Sequence, residues 1–357
     1  MARVVLAMSG GVDSSVAALL LKQQGHEVIG LFMRTGVESP ADDTPSHKKG
    51  CCSAVDAADA RRVAERLDMP FYALDFAEDF SKIMDYFVDE YERARTPNPC
   101  VVCNSKLKFG KLWSYGKQLG ADFVATGHYA QIVRRGAAVE LHRAADPDKD
   151  QSYVLHGLRR GLLPHVLFPI GGMCKEEVRD FARRAGLGVA EKPDSVEICF
   201  VPNNDHFDFI RRRRPELNSA GTIVDRAGKV LAEHEGIEKF TIGQRKGLGF
   251  GSASRRYVLE ILPETHTVVV GDREELLARH LRAAQVNWLI DPPQSALACQ
   301  VKIRYRHQPA PASVVTVASG EAEVVFEEAQ SAITPGQAVV FYDGQRVLGG
   351  GWIEEAL

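Results

Sequence analysis

The chain has 357 residues, 45% of them apolar and 25% charged. These are the proportions of an ordinary soluble protein of two or three domains, and they exclude disorder, collagen and coiled coil. With 44 Lys and Arg against 47 Asp and Glu, a net charge of −3, no global field draws the protein to nucleic acid, so any such partner must be met by a local patch.

No apolar run approaches the ~18 residues that cross a bilayer. The amino terminus passes from a single Arg into a strand-like run with no signal-peptide pattern. Seven cysteines in such a chain point to reduced thiols rather than a disulfide framework. A cytoplasmic protein without membrane contact is expected.

Strands are predicted over 3–8, 26–33, 70–75 and 122–127, and helices over 13–24, 53–67, 78–93 and 107–119. This βαβα alternation makes an α/β parallel sheet with helices on both faces and ligands at the carboxyl ends of its strands. Residues 38–50, rich in Pro, Asp and Lys, form a loop between two units. After residue 200 the pattern changes. The basic run Arg211, Arg212, Arg213 and Arg214 precedes two short strands around the turn of residues 225–228, inside a small mixed domain over 206–278. Strand patterns at 301–306, 313–317, 323–326, 338–342 and 346–348 describe a small antiparallel barrel or sandwich.

The strongest single motif is Ser9-Gly10-Gly11-Val12-Asp13-Ser14-Ser15, between the first strand and the first helix. Its glycines let backbone approach an oxyanion, its amides and hydroxyls donate, and the helix amino terminus adds positive potential. The spaced Gly-Lys-Ser/Thr of a Walker A loop is missing, so cleavage between the α and β phosphates of ATP is the better reading. Asp13 would then help to hold Mg2+. A plain helix-capping turn is the bland alternative. Gly127 and His128 end the fourth strand at the same sheet edge, where a bulkier residue than Gly127 would obstruct the nucleotide.

Cys100-Val101-Val102-Cys103 lies just before the helix that carries Lys106, Lys108 and Lys111, a setting that lowers thiol pKa values. A structural zinc site would need a second Cys-x-x-Cys, which is missing. Cys199 follows a polar, turn-like stretch, Lys192-Pro193-Asp194, and between Ile198 and Phe200 reads on its own as buried core. Cys51 and Cys52 receive no function, and Cys174 and Cys299 are expected to be packed.

Taken together and in order, residues 9–15, 96–104, 127–130, 149–153, 194–200 and 241–248 resemble the bacterial tRNA-specific 2-thiouridylases over most of the chain. That resemblance implies an adenine nucleotide α-hydrolase-like (PP-loop) domain over 1–205, a small central domain over 206–278 and a tRNA-binding C-terminal β-barrel over 279–357. It implies ATP contacts at Ala7, Met8, Ser9, Gly10, Gly11, Val12, Asp13, Ser14, Met33 and Gly127, although Met33 alone would read as core. Cys103 carries over as nucleophile and Cys199 as the persulfide cysteine. Asn98, Pro99 and Cys100 would surround the target base, and His128, Lys149, Asp150, Gln151, Arg304, Tyr305 and Gln337 would touch tRNA.

One position departs from the pattern: the family often has Asp, with a proton-transfer role, where this chain has Cys100. A third thiol opens a second mechanism in which Cys100, Cys103 and Cys199 ligate a [4Fe-4S] cluster, although persulfide chemistry is preferred. Other expected phosphate contacts are Lys106, Lys108, the run 211–214, Arg245, Lys246, Lys302 and Arg306, with Tyr305 as a stacking ring. The expected partners are tRNA and a sulfur-donating protein, a cysteine desulfurase or sulfur relay protein, and the chain is expected to act as a monomer. Two competing readings are another PP-loop adenylating synthetase, which needs no cysteine pair, and a non-enzymatic RNA-binding module, which would make no pyrophosphate.

Overall fold

The structure, a computed structural model, describes residues 1–37, 53–194, 198–251 and 254–357. The loop predicted over 38–50, Cys51, Cys52 and residues 195–197 lie outside the described residues. The chain divides into two compact units. The first contains Met1–Met84, Cys100–Asn204 and Gln345–Leu348; the second contains Asp85–Pro99, Asp205–Gly344 and Gly349–Leu357. Among the described residues, no helix is long and apolar enough to cross a membrane.

In the first unit, strands β1 (Arg3–Ala7), β2 (Glu27–Arg34), β3 (Phe71–Asp75), β4 (Phe123–Thr126) and β7 (Val166–Leu167) form a parallel sheet in the order β3-β2-β1-β4-β7. A central parallel strand is buried on both faces and reads as a continuous apolar run. Accordingly Val4, Val5 and Leu6 of β1 are fully buried.

Val4 and Leu6 join the core built with helices α1 (Val12–Gln23), α2 (Ala54–Arg66) and α6 (Lys175–Arg184). Val5 faces the opposite way, where a Cβ on Gly116 of α5 (Leu112–Gln118) would come within 2.5 Å of its side chain. The strand order reverses between β1 and β4. In an open α/β sheet such a switch point leaves a crevice beyond the strand ends, where ligands bind. The hairpin β5 (Ala130–Arg135) and β6 (Ala138–Arg143) completes the unit, with Arg346 paired to His142.

Helix α3 (Ala77–Glu92) matches its expected span closely. The helix expected over 107–119 instead begins at Pro99. It runs as α4 (Pro99–Val102), a π-helix (Cys103–Lys111) and α5. Proline is preorganised for the first helical position, so Cys100 and Cys103 lie inside the helix rather than before it.

The second unit carries α7 (His206–Arg213) and a four-stranded sheet with the order β10-β11-β8-β9, made of β8 (Gly221–Asp225), β9 (Val230–His234), β10 (Tyr257–Leu262) and β11 (Thr267–Gly271). Asp225 accepts from the amides of Ala227 and Lys229, which closes the predicted turn. Strands β12 (Leu277–Trp288), β13 (Leu297–Lys302), β14 (Ala310–Ala318), β15 (Glu321–Ser331), β16 (Ala338–Asp343) and β17 (Arg346–Ala356) form an antiparallel barrel. It is closed by pairing of β12 with β17.

Two expectations are corrected in this unit. The strand predicted over 301–306 ends at Lys302, and Arg304, Tyr305 and Arg306 lie in the following turn. Their alternation imitates a strand, but the facing strand β14 begins only at Ala310, opposite Val301, and Pro309 before it lacks the N–H that a longer ladder needs.

The run 211–214 is not a free phosphate-binding patch. Arg213 pairs with Asp85, and Arg214 with Asp85, Asp89 and Glu92. The Arg211 guanidinium meets the buried Glu238 carboxylate at 2.7 Å and donates to the Glu235 carbonyl at 2.7 Å.

Removing one partner of a buried pair leaves an uncompensated charge, so Arg211→Ala is expected to cost about 3 kcal/mol. Arg212→Ala removes only the exposed pair with Asp208 and should cost under about 0.5 kcal/mol. Urea unfolding of both variants checks the difference, and equal losses would refute the buried pair's role.

Candidate active site

Strand β1 ends at Ala7 and the chain turns through Ser9, Gly10 and Gly11 into α1. Gly10 has φ +72°, and a Cβ there would meet the Asp56 carbonyl oxygen at 2.2 Å, so only glycine fits. The Ser14 and Ser15 hydroxyls donate to the Gly11 carbonyl at 3.2 and 2.9 Å, and the Ser9 amide donates to Ser14 Oγ at 3.2 Å. The hydroxyls of 14 and 15 therefore shape the loop from within. Gly11 gives α1 no side-chain cap, which leaves the helix amino terminus open to an anion.

Gly127, just beyond β4, lies close to this terminus. A Cβ there would sit 2.7 Å from the Ser14 amide nitrogen and 2.8 Å from the Asp13 carbonyl carbon. A bulkier residue would thus strike α1 itself. Met8 is buried, and Met33 is half-buried near the carboxyl end of β2.

An ionic chain that sequence reading missed surrounds the loop. The Asp13 carboxylate accepts from Tyr129 Oη at 2.8 Å and from Lys175 Nζ at 2.8 and 2.9 Å. Lys175, the first residue of α6 and buried, also lies 2.8 Å from Asp194. Lys149 and Arg179 complete the shell around Asp194, each at 2.8 Å. Burial pushes the Asp194 carboxyl up, but the Lys149 and Lys175 ammonium groups outweigh it and hold it at about 2, below the ordinary 3.8. Burial and the Asp13 charge push the Tyr129 phenol up, so it stays a donor.

Lys192 donates to the Gly10 carbonyl at 3.0 Å and pairs with Asp56 and Asp59 at 2.6 and 2.7 Å. Lys192-Pro193-Asp194 had looked like a polar turn; its two charged ends are both tied to the loop's surroundings.

Cys100 is exposed, while Cys103, which opens the π-helix, and Cys199 are half-buried. Wide π turns are rare and are frequent at functional sites. The buried Asn104 donates to the Val154 carbonyl at 3.1 Å and fixes the helix next to Cys103. At the far end, Lys111 pairs with Asp79 of α3. Phe200, beside Cys199, packs edge-on against Phe80 of the same helix at 5.7 Å. The two thiol-bearing segments are thus anchored on consecutive residues of α3.

Among the described residues, Cys100, Cys103 and Cys199 included, no group of three or more His, Cys, Asp or Glu side chains is gathered as a metal would require.

His128 is buried beside the Phe109 and Phe168 rings, with Nδ1 2.6 Å from Thr126 Oγ1 and Nε2 3.5 Å from Lys108 Nζ. Burial, aided by the Lys108 charge, pushes its pKa well below the ordinary imidazole range. Lys106 is exposed. Residues 149–151 hold the site from within: Asp150 accepts from the Ser152 amide at 3.0 Å, and Gln151 Oε1 accepts from the Tyr129 amide at 2.9 Å.

In the second unit, Tyr305 is exposed, Lys302 Nζ lies 5.7 Å from its ring centroid, and Arg304 donates to the Ser331 carbonyl. Gln337 donates to the carbonyls of Thr96 and Pro97, just ahead of Asn98 and Pro99. Cys174 is exposed at the start of α6, contrary to the packed role expected for it. Burial, with the Asp343 charge, pushes the Cys299 thiol up to about 12.

The chain matches three family descriptions in order: "tRNA methyl transferase HUP domain" over residues 2–203, "tRNA methyl transferase PRC-barrel domain" over 207–272 and "Aminomethyltransferase beta-barrel domain" over 278–353. Among curated proteins it is similar to the tRNA-specific 2-thiouridylase MnmA of Rhodopirellula baltica, 51% identical over 388 residues that cover 100% of this chain and 97% of the relative. The protein of the same name from Geobacter metallireducens is 51% identical over 99% of this chain and 97% of its own length. That of Clostridium perfringens is 46% identical over 99% of both.

The Asp194 carboxyl is expected to titrate near 2. The stability that it contributes is full above the unfolded value near 3.8 and is lost as pH falls through about 2. Lys175→Met should raise that midpoint and bring the acid transition to higher pH. Carboxyl NMR and circular dichroism measure both, and an unmoved midpoint would remove Lys175 from the chain of charges.

Proposed function

The chain belongs to the tRNA-specific 2-thiouridylase family, and on that footing we propose that it replaces O2 of the wobble uridine of tRNA with sulfur, at the expense of ATP. A uracil carbonyl oxygen is a poor leaving group. Its attack on the α phosphorus of ATP releases pyrophosphate and turns that oxygen into part of an AMP ester. Sulfur then bonds to C2, the C2–O bond breaks, and AMP leaves.

The uncapped turn of residues 9–14, with Gly127 behind it, suits the triphosphate. Ala7, Met8 and Met33 suit the remainder of the nucleotide at the strand ends. Asp13 is the residue to hold Mg2+, which would supply positive charge against the phosphates. Lys175 and Tyr129 already place donors at the Asp13 carboxylate and so orient it.

Cys199 carries sulfur as a persulfide taken from a cysteine desulfurase or a relay protein. The terminal sulfur bonds to C2. The Cys103 thiolate then attacks Cys199 Sγ, the persulfide bond breaks and its electron pair stays with the departing sulfur. The resulting 103–199 disulfide is returned to two thiols by an external dithiol. Attack of Cys103 on Cys199 Sγ before C2 is engaged, which closes the 103–199 disulfide and releases hydrosulfide toward C2, is the other order of the same exchange.

What carries this reading is that the glycine loop, Gly127 and Cys100, Cys103 and Cys199 belong to one compact unit. Lys111, at the far end of the helix that Cys103 opens, and Phe200, next to Cys199, also contact consecutive residues of α3. We read residues 1–205 as the catalytic domain, 206–278 as the small central domain and 279–357 as the tRNA-binding barrel. Asn98, Pro99 and Cys100 flank the base, and Lys149, Arg304 and Tyr305 meet the RNA. Methyl transfer, named in two of the family descriptions, would leave the cysteine pair without a role.

Incubation with ATP, Mg2+, a persulfide-loaded cysteine desulfurase and unmodified tRNA should yield 2-thiouridine by nucleoside mass spectrometry, together with pyrophosphate. Cys199→Ser should abolish persulfide-dependent thiolation while tRNA affinity stays within about twofold, well under the 1.4 kcal/mol of a tenfold change. Undiminished thiolation by that variant would refute the persulfide assignment. In a separate test, Gly127→Ala drives a methyl into the α1 backbone and should weaken ATP binding about tenfold or more, about 1.4 kcal/mol. Calorimetric titration with ATP reads this, and unchanged affinity would contradict the site.

A further inference from the structure

Residues 95–99 lead directly into Cys100 and are poor in backbone donors, because Pro97 and Pro99 have no N–H. Their carbonyls cannot join a ladder with their own neighbours and must find donors elsewhere. The barrel supplies them. Gln337 Nε2 donates to the Thr96 carbonyl at 3.1 Å and to the Pro97 carbonyl at 3.2 Å, so both of its N–H groups are engaged. The Thr96 amide donates in turn to the Pro335 carbonyl at 2.9 Å.

Between them, Gly336 has φ +86°, and a Cβ there would come within 2.9 Å of both Thr96 N and Thr96 O. The two backbones are in contact at a point where no side chain fits. The loop is itself pinned: the Gly336 amide donates to the Ile353 carbonyl, and the Ile353 amide to the Gln337 carbonyl, both at 2.9 Å. One residue earlier, Arg95 donates to both Glu354 oxygens at 2.8 and 3.1 Å and to Glu90 at 2.8 Å.

We propose that the barrel loop of residues 333–337 is a brace for the base-flanking segment, and that Gln337 is a positioning residue that sets the path of residues 96–99. This deepens the functional reading above and rests on residues 98–100 flanking the target base. The C-terminal barrel then has a duty in the chemical step beyond RNA affinity. It fixes the backbone of residues 96–99, which flank the base ahead of Cys100 in the chain. A misplacement of about 1 Å at reacting groups costs on the order of 100-fold in rate.

The test uses the full chain with Gln337→Ala and with Gln337→Glu, which keeps the length and one oxygen but removes both donors. Without tRNA, hydrogen exchange at the Thr96 amide should accelerate about tenfold or more in both variants, because a braced amide becomes a frayed one. With saturating tRNA, single-turnover thiolation should slow about tenfold or more. Protection of Thr96 at the parental level in both variants would overturn the brace. So would a raised Kd with an unchanged single-turnover rate, which is the mark of a direct RNA contact. The exchange measurement needs no RNA or ATP, so a chain that makes no 2-thiouridine would sink the functional reading and leave the brace standing or falling on its own.

Discussion

A single ammonium group, that of Lys175, holds the chemistry of the first unit together. It is buried at the start of α6 and lies within 3 Å of two carboxylates from distant parts of the chain, Asp13 on the glycine loop and Asp194 on the segment that leads to Cys199. A buried ammonium is tolerated only when opposing charges replace its lost hydration. Asp13 and Asp194 are likewise tolerated because Lys175, Tyr129, Lys149 and Arg179 surround them. None of these positions can change its charge alone. The glycine loop and the approach to Cys199 are therefore organised as one electrostatic body.

Close backbone approach is the second constraint, and glycine meets it at two places that matter. Gly10 lies against the Asp56 carbonyl and Gly127 against the start of α1. Together they allow the ends of β1 and β4 to meet where strand order reverses, which is where an open parallel sheet makes its crevice. A third glycine, Gly336, performs the same service in the barrel, where it lets a loop lie on the backbone of Thr96.

Much of the site was legible in the residues themselves. The glycine loop announced itself because phosphate binding demands small residues, free amides and a helix start in one short stretch. Cys100 and Cys103 stood out through their spacing and the lysines that follow. Lys192 and Asp194 passed as a turn, since nothing local reveals that their charges reach Gly10 and Lys175. Conversely, Arg211 to Arg214 looked like a phosphate-binding run, yet Arg211, Arg213 and Arg214 neutralise acidic residues far away in sequence. The alternation through Arg304 to Arg306 imitated a strand because periodicity cannot see whether a partner strand has amides to offer.

The sequence by itself determined the parallel sheet, the position of the glycine loop, the candidate thiols and the presence of an antiparallel barrel. Each is written in local features such as apolar periods of two and of three to four residues, glycines at a strand-to-helix turn, and cysteines beside lysines. Tertiary structure alone decided which charges pair, which glycines bear a neighbouring backbone, that Cys103 opens a π-helix, and that Gln337 donates to carbonyls some 240 positions earlier. The physical reason is range. Backbone propensity and hydrophobic periodicity act between near neighbours in the chain, whereas charge neutralisation and the satisfaction of buried polar groups depend on distance in space, which only the folded chain sets.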